Sequence, residues 1–212
     1  MFGWHAVEAV LKREPERLQQ VWIQTGRQDK RVKGITDALD SLGVRWKVVH
    51  RKELDERVAG VHQGIVAAVS ESREWTEDDL LAQLAGSDKP PFLLVLDGVT
   101  DPHNLGACMR TADAVGIQAV IVPKDKSASL TPVARKVACG AAETVPFVRV
   151  TNLARFLRSL QDQGVWLIGT AGEADATLYQ ADFKGPVALV MGAEGKGMRR
   201  LTREHCDQLI NI

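Results

Sequence analysis

The chain has 212 residues, 45% of them hydrophobic, and its 27 Lys and Arg are balanced by 27 Asp and Glu. That length buries one large core or two modest ones, and a net charge of zero argues against a general polyanion binder. The longest apolar stretches, Phe92 to Leu96 and Val187 to Met191, are strand-sized and far short of the roughly 20 residues that span a bilayer as a helix, so no membrane partner is expected.

The N-terminal MFGWHAVEAVLKR shows no basic leader followed by an apolar run and a small-residue cleavage site, so a cytoplasmic location is expected. From Trp4 to Leu11 apolar residues recur at helical spacing, and Lys30 to Leu42 repeats the pattern before Gly43. VWIQT, RWKVVH and GIVAAVS read as short strands, making residues 1–70 a small α/β unit. This unit carries 12 Lys/Arg against 9 Asp/Glu, and the remainder 15 against 18, a small asymmetry that hints at nucleic acid facing the first part. Glu71 to Asp79 is polar and acidic, and GSDKPP resists both helix and central strand, which places a linker at about 71–90.

From residue 91 onwards, strand and helix alternate. FLLVLDG is an apolar strand with both faces buried, followed by the helical GACMRTADAVG, the strand QAVIVP, the helix TPVARKVACGAAE and the strand VPFV. The helix NLARFLRSLQDQG, the strands VWLIGT and VALVMG, the helix GMRRLTREHC and the strand QLINI complete the pattern of a parallel sheet with crossover helices. In such sheets ligands sit at the carboxyl ends of the strands.

Three of those strand exits carry candidate chemistry. Asp97 to Arg110 (DGVTDPHNLGACMR) runs from a strand end through a turn with Pro102 into a helix start, with Asn104 near the positively polarised helix end and Arg110 six residues on. Together they suit an anion; equally, Asp101 or Asn104 caps the helix and Arg110 makes a surface ion pair. LVMGAEGKGM sets Gly192, Gly195 and Gly197 after a strand and at the opening of a helix, where glycine lets a backbone approach a ligand closely. Its GxxGxG spacing is neither the dinucleotide fingerprint nor a phosphate loop, and Glu194 would repel a phosphate while suiting an Arg or neutral polar partners. WLIGTAGE runs from a strand into a glycine turn and places Thr170 at a third exit, which alone reads equally as an ordinary turn. The five histidines show no metal-ligand spacing and pair with no Ser or Cys nucleophile, so no metal is assigned. His103 sits beside Asn104, and His62 precedes a strand as either an RNA contact or a structural turn. Cys108, Cys139 and Cys206 are isolated and expected to be buried reduced thiols.

Taken together, DPHNLGACMRTADAVG, KVACGAAE and LVMGAEGKGM resemble the first two motifs of the SpoU (TrmH) family of RNA ribose 2'-O-methyltransferases, and the likeness covers nearly all of residues 92–212. Within the family, KVACGAAETVP, GTAGEADATLYQ and MGAEGKGMRRLTREHCDQLINI are most similar to the members that methylate a guanosine ribose in 23S ribosomal RNA. FGWHAVEAVL and VHQGIVA resemble the N-terminal domain of those members, which is similar to ribosomal protein L30e and grips RNA. The resemblance implies an α/β fold with a deep trefoil knot, a homodimer and S-adenosylmethionine held by loops of the knot. It implies that Asn104, Arg110 and Glu194 lie at the reaction centre and that Thr170, Gly172, Gly192, Gly195 and Ile212 surround the cofactor. Family members continue with a Ser-Leu-Asn-Val-Ser-like third motif and a final helix that complete the knot. The 212 residues end before that segment, which is either absent or lies beyond them, so this piece alone is expected to bind RNA and turn over poorly. An RNA-binding module with steep salt dependence and a methyltransferase acting on transfer RNA are the alternatives. A Rossmann-type oxidoreductase would need GxGxxG after the first strand, which is missing.

Overall fold

The computed structural model describes residues 1–26, 30–70 and 74–212, and the chain divides into two compact units, Met1–Arg73 and Glu74–Ile212. Residues 71–73 of the expected linker lie outside the described residues.

In the first unit, α1 (Trp4–Arg13), β1 (Leu18–Gln24), α2 (Lys30–Ser41), β2 (Trp46–Val49), α3 (Arg51–Arg57) and β3 (Ile65–Val69) build a three-stranded sheet of order β2-β1-β3. Strand β1 runs parallel to β2 and antiparallel to β3. Alternation decides the layers: Val21 and Ile23 of β1 join Trp4, Val7 and Val10 of α1 and Ile35 and Leu39 of α2 in one core, while Trp22 packs with Leu54 of α3 in another. Helix α3 has no counterpart in the sequence reading, because RKELDER is charged throughout and buries only Leu54. His62 resolves as a structural turn. It is buried, with Nδ1 accepting from the Gly64 N–H at 2.9 Å and Nε2 lying 3.0 Å from Asp55 Oδ1.

The second unit begins inside the stretch read as linker. Helix α4 (Glu77–Ala85) opens with a capping box in which the Thr76 hydroxyl accepts from the Asp79 N–H and the Asp79 carboxylate accepts from the Thr76 N–H. Its acidic first turn looks like linker composition, but Leu80 and Leu84 are buried in the core. There follow β4 (Phe92–Asp97), α5 (Pro102–Val115), β5 (Ala119–Pro123), α6 (Pro132–Val137), α7 (Ala141–Thr144), β6 (Phe147–Val150), α8 (Leu153–Asp162), β7 (Trp166–Thr170), β8 (Val187–Gly192), α9 (Arg200–Glu204) and β9 (Gln208–Ile210). The helix expected over 131–143 is split because Cys139 and Gly140 both take positive φ, 53° and 97°.

The six strands form one sheet of order β6-β5-β4-β8-β7-β9, with every pairing parallel. Leu93 and Val95 of β4 face α4 and α8, while Leu94 and Leu96 face α5 to α7, so this strand is buried on both sides. From β4 the chain moves to β5 on one side, and from β8 it moves to β9 on the other. The adjacent pair β4 and β8 is therefore where the strand order reverses, the position at whose carboxyl ends open parallel sheets bind their ligands.

Candidate active site

The carboxyl edge of the sheet gathers four exits in a row, those of β4, β8, β7 and β9. Register pairs Asp97 with Gly192, Gly169 with both Val190 and Leu209, and Thr170 with Ile210. Thr170, Gly172, Gly192, Glu194, Gly195 and Ile212 thus lie on, or just beyond, consecutive strand ends, while Asn104 and Arg110 stand in the helix that follows β4.

Leaving β4, the chain turns at Gly98 (φ 89°) and enters α5, whose N-cap is Asp101; the Asp101 carboxylate accepts from the His103 N–H at 2.8 Å. The helix starts two residues before Asn104, so Asn104 lies in the first turn and does not cap it. Leu105, Gly106, Met109 and Ala112 form the buried stripe of α5, and Asn104 and Arg110 are both exposed. At 100° and 1.5 Å per residue the two side chains start about 9 Å apart along the axis and about 120° apart around it, flanking the solvent face. Among the described residues neither makes a hydrogen bond or ion pair, so both are available to a ligand. His103 is exposed and falls on nearly the same line of the helix as Arg110.

Leaving β8, residues 193–197 form a tight turn closed by Ala193 N–H to Gly197 O at 3.0 Å and Gly197 N–H to Ala193 O at 2.8 Å. Gly195 and Gly197 take φ of 75° and 66°, and helix α9 opens only at Arg200, later than the sequence reading placed it. At Gly192 a Cβ would collide with the backbone of Gly197 and Met198, so its missing side chain admits the chain's own return. Glu194 is exposed at the turn. The turn meets the β4 exit directly, since a Cβ on Gly98 would lie 3.5 Å from the Ala193 Cβ.

Leaving β7, the segment after Thr170 is tied to β9. The Ala171 N–H donates to Ile210 O at 2.8 Å, the Asn211 N–H to Ala176 O at 2.8 Å and the Asn211 side-chain amide to Ala174 O at 2.5 Å. Thr170 is half-buried, and around Gly172 and Gly195 no atom lies within 4 Å of where a Cβ would stand. Glu173 pairs with Arg203 of α9, and the hydrogen bond from that guanidinium holds its carboxyl below the usual range. Ile212 is 78% exposed, an apolar side chain in solvent at this edge.

The sequence reading missed the residues that hold the edge together, above all Asp97. Its side chain is fully buried, Oδ2 accepts from the Arg199 backbone N–H at 2.8 Å, and Oδ1 accepts from Arg199 Nε at 2.6 Å. The signal was present as a carboxylate ending an otherwise apolar strand, a residue type that is almost never fully buried unless paired. Beneath the turn, Cys206 packs against Met198 and Gly169, and burial pushes its thiol up to about 12. Cys139 is exposed, contrary to the expectation that all three thiols are buried. Among the described residues no group of three or more His, Cys, Asp or Glu is placed to hold a metal, and no helix is long and apolar enough to cross a membrane.

A family model described as SpoU rRNA Methylase family matches residues 91–212, and one described as RNA 2'-O ribose methyltransferase substrate binding matches residues 1–75. The chain is 61% identical over 213 aligned positions to the 23S rRNA (guanosine-2'-O-)-methyltransferase RlmB of Escherichia coli (strain K12), covering 100% of the chain and 87% of the relative. The RlmB protein of Pseudomonas aeruginosa is 60% identical and is covered to 86%. Among solved structures, the SpoU methyltransferase AviRb from Streptomyces viridochromogenes, in complex with AdoMet, superposes with a TM-score of 0.75 at 20% identity, covering all of this chain and 79% of AviRb. An RNA methyltransferase of the TrmH family from Porphyromonas gingivalis gives 0.71 at 22% identity over all of this chain and 78% of that one. These two structural likenesses concern the fold.

Proposed function

The chain belongs to the SpoU family of rRNA methylases, and from that premise we propose that it transfers a methyl group from S-adenosylmethionine to the ribose 2'-hydroxyl of a guanosine in 23S ribosomal RNA. The observation that carries this reading is the identity of 61% along the whole chain, both units included, with a relative named for that reaction. The first unit is the substrate-binding part. A cytoplasmic homodimer with a knotted methyltransferase unit belongs to the same proposal.

The edge fits such a cofactor. Gly172 and Gly195 leave open space at backbone level and Thr170 is half-buried beside them, an arrangement suited to a nucleoside held largely by main-chain groups. Thr170, Gly172, Gly192, Gly195 and Ile212 would line the cradle, with Gly192 also admitting the returning backbone of the turn. When bound, S-adenosylmethionine supplies an electrophilic sulfonium methyl. Arg110, whose guanidinium offers donors and no acceptor, binds the target phosphate and offsets the negative charge developing on the ribose oxygen, with a phosphate oxygen assisting deprotonation. Asn104, an exposed donor and acceptor at the start of α5, orients the ribose, and Glu194 organises the two from the facing turn.

The test is transfer of labelled methyl groups to undermethylated 23S ribosomal RNA, followed by nucleoside analysis. Label in 2'-O-methylguanosine is the expected result. Label accepted only by transfer RNA, or RNA binding without any transfer, would overturn the reading.

A further inference from the structure

We infer that Asp97 and Arg199 are a positioning pair for methyl transfer: they fix the turn bearing Glu194 against the strand that leads to Asn104, and so set the rate without touching substrate. The inference rests on the site reading above and deepens it.

One carboxylate joins the two segments. Asp97 is the last residue of β4, and within four residues the chain passes through Gly98 to the Asp101 cap of the helix that carries Asn104 and Arg110. Its two oxygens are both taken by Arg199, one by the main-chain N–H at 2.8 Å and the other by the side chain at 2.6 Å. A residue held by backbone and side chain together has its place and its direction fixed, which a surface ion pair does not achieve. Arg199 stands just past the turn of residues 193–197, whose other foot is Gly192, in register with Asp97 itself. The turn is therefore clamped at both feet to the same residue of β4. Between the feet, Glu194, Gly195 and Lys196 are exposed, and no hydrogen bond or ion pair with another described side chain fixes Glu194. Its location follows from the clamp.

The geometry also separates the pair from the chemistry. The Asp97 side chain has no exposure and cannot meet RNA, while that of Arg199 is half exposed but committed by its Nε and Nη2 to Asp97. Lysine at 199 keeps the charge and the backbone hydrogen bond and loses the fork, loosening the far foot of the turn while leaving the fold intact.

The experiment is a double-mutant cycle on the full chain, with kcat and KM for 23S ribosomal RNA measured for the unsubstituted protein, Arg199→Lys, Glu194→Gln and the double variant, and thermal midpoints recorded alongside. Arg199→Lys is expected to lower kcat about tenfold with KM for RNA changed less than about twofold, as a misplacement of a fraction of an ångström does. Because the pair acts through Glu194, the same substitution on the Glu194→Gln background is expected to cost less than about twofold. An equal loss on both backgrounds, tracking a lowered midpoint, would make the pair a matter of stability alone and overturn the inference. A rise in KM for RNA at constant kcat would make Arg199 a substrate contact and overturn it as well. Absence of transfer by the unsubstituted chain would instead overturn the proposed function on which the inference stands.

Discussion

The rim and the base of the carboxyl edge are built on opposite rules. On the rim, Asn104, Arg110 and Glu194 are exposed, and the first two make no hydrogen bond or ion pair among the described residues. Beneath it, Asp97 is fully buried with both oxygens satisfied, Gly192 is filled by the backbone of Gly197 and Met198, and Cys206 is packed under Gly169. The difference teaches where to look for each kind of residue. On the proposed reading the exposed side chains are left for a ligand to engage, whereas the buried carboxylate beneath them is fully satisfied, as a buried charge must be.

That contrast breaks most visibly at Gly192. Its replacement by Ala drives a Cβ into the crossing backbone, and a backbone cannot rotate away as a side chain does. We expect Gly192→Ala to lose about 3 kcal/mol of stability by chemical denaturation, with methyl transfer lost in proportion. An unchanged midpoint would show that the turn shifts to admit the Cβ and that the collision costs nothing. The same contrast sharpens when the buried pair of Asp97 and Arg199 is set beside an exposed one in the first unit. Glu8 accepts from Arg31 at 2.7 Å near the surface, and that hydrogen bond, above all, lowers its carboxyl below the usual value. A group with a depressed folded value contributes stability above its unfolded value and loses it as pH falls through the folded one. Glu8→Gln is therefore expected to cost less than about 1 kcal/mol at pH 7, and progressively less as pH falls through the depressed folded value, read from thermal midpoints across pH. A larger cost that persists in acid would show that Glu8 matters for packing and not for charge.

Much of the rim was legible in the sequence and little of the base. Strand and helix alternation from Phe92 onwards predicts the parallel sheet, because buried parallel strands read as unbroken apolar runs, and the same order locates the exits that carry Asn104, Thr170 and Glu194. The start of α5 is displaced by four residues, from Gly106 to Pro102, because Pro102 is a favoured first residue of a helix as well as a turn former. The split of the 131–143 helix rests on Cys139 and Gly140 together; the glycine is a visible breaker, whereas Cys139 is a residue type with no particular leaning towards positive φ. Pairing of Asp97 with Arg199 spans 102 residues and depends on the sheet bringing them together, which no local pattern encodes. Gly192 was legible as a required glycine, but whether ligand or chain fills the space beside it is decided by tertiary structure.

The central claim, that exposed and unpartnered rim residues carry the chemistry, is tested most directly by measuring methyl transfer and the thermal midpoint together for Arg110→Ala. The account predicts a rate lower by a factor on the order of 10² to 10³ with a midpoint within about 2 °C of the unsubstituted chain. Full activity at an unchanged midpoint, or a loss of activity matched by a collapse of stability, would contradict it.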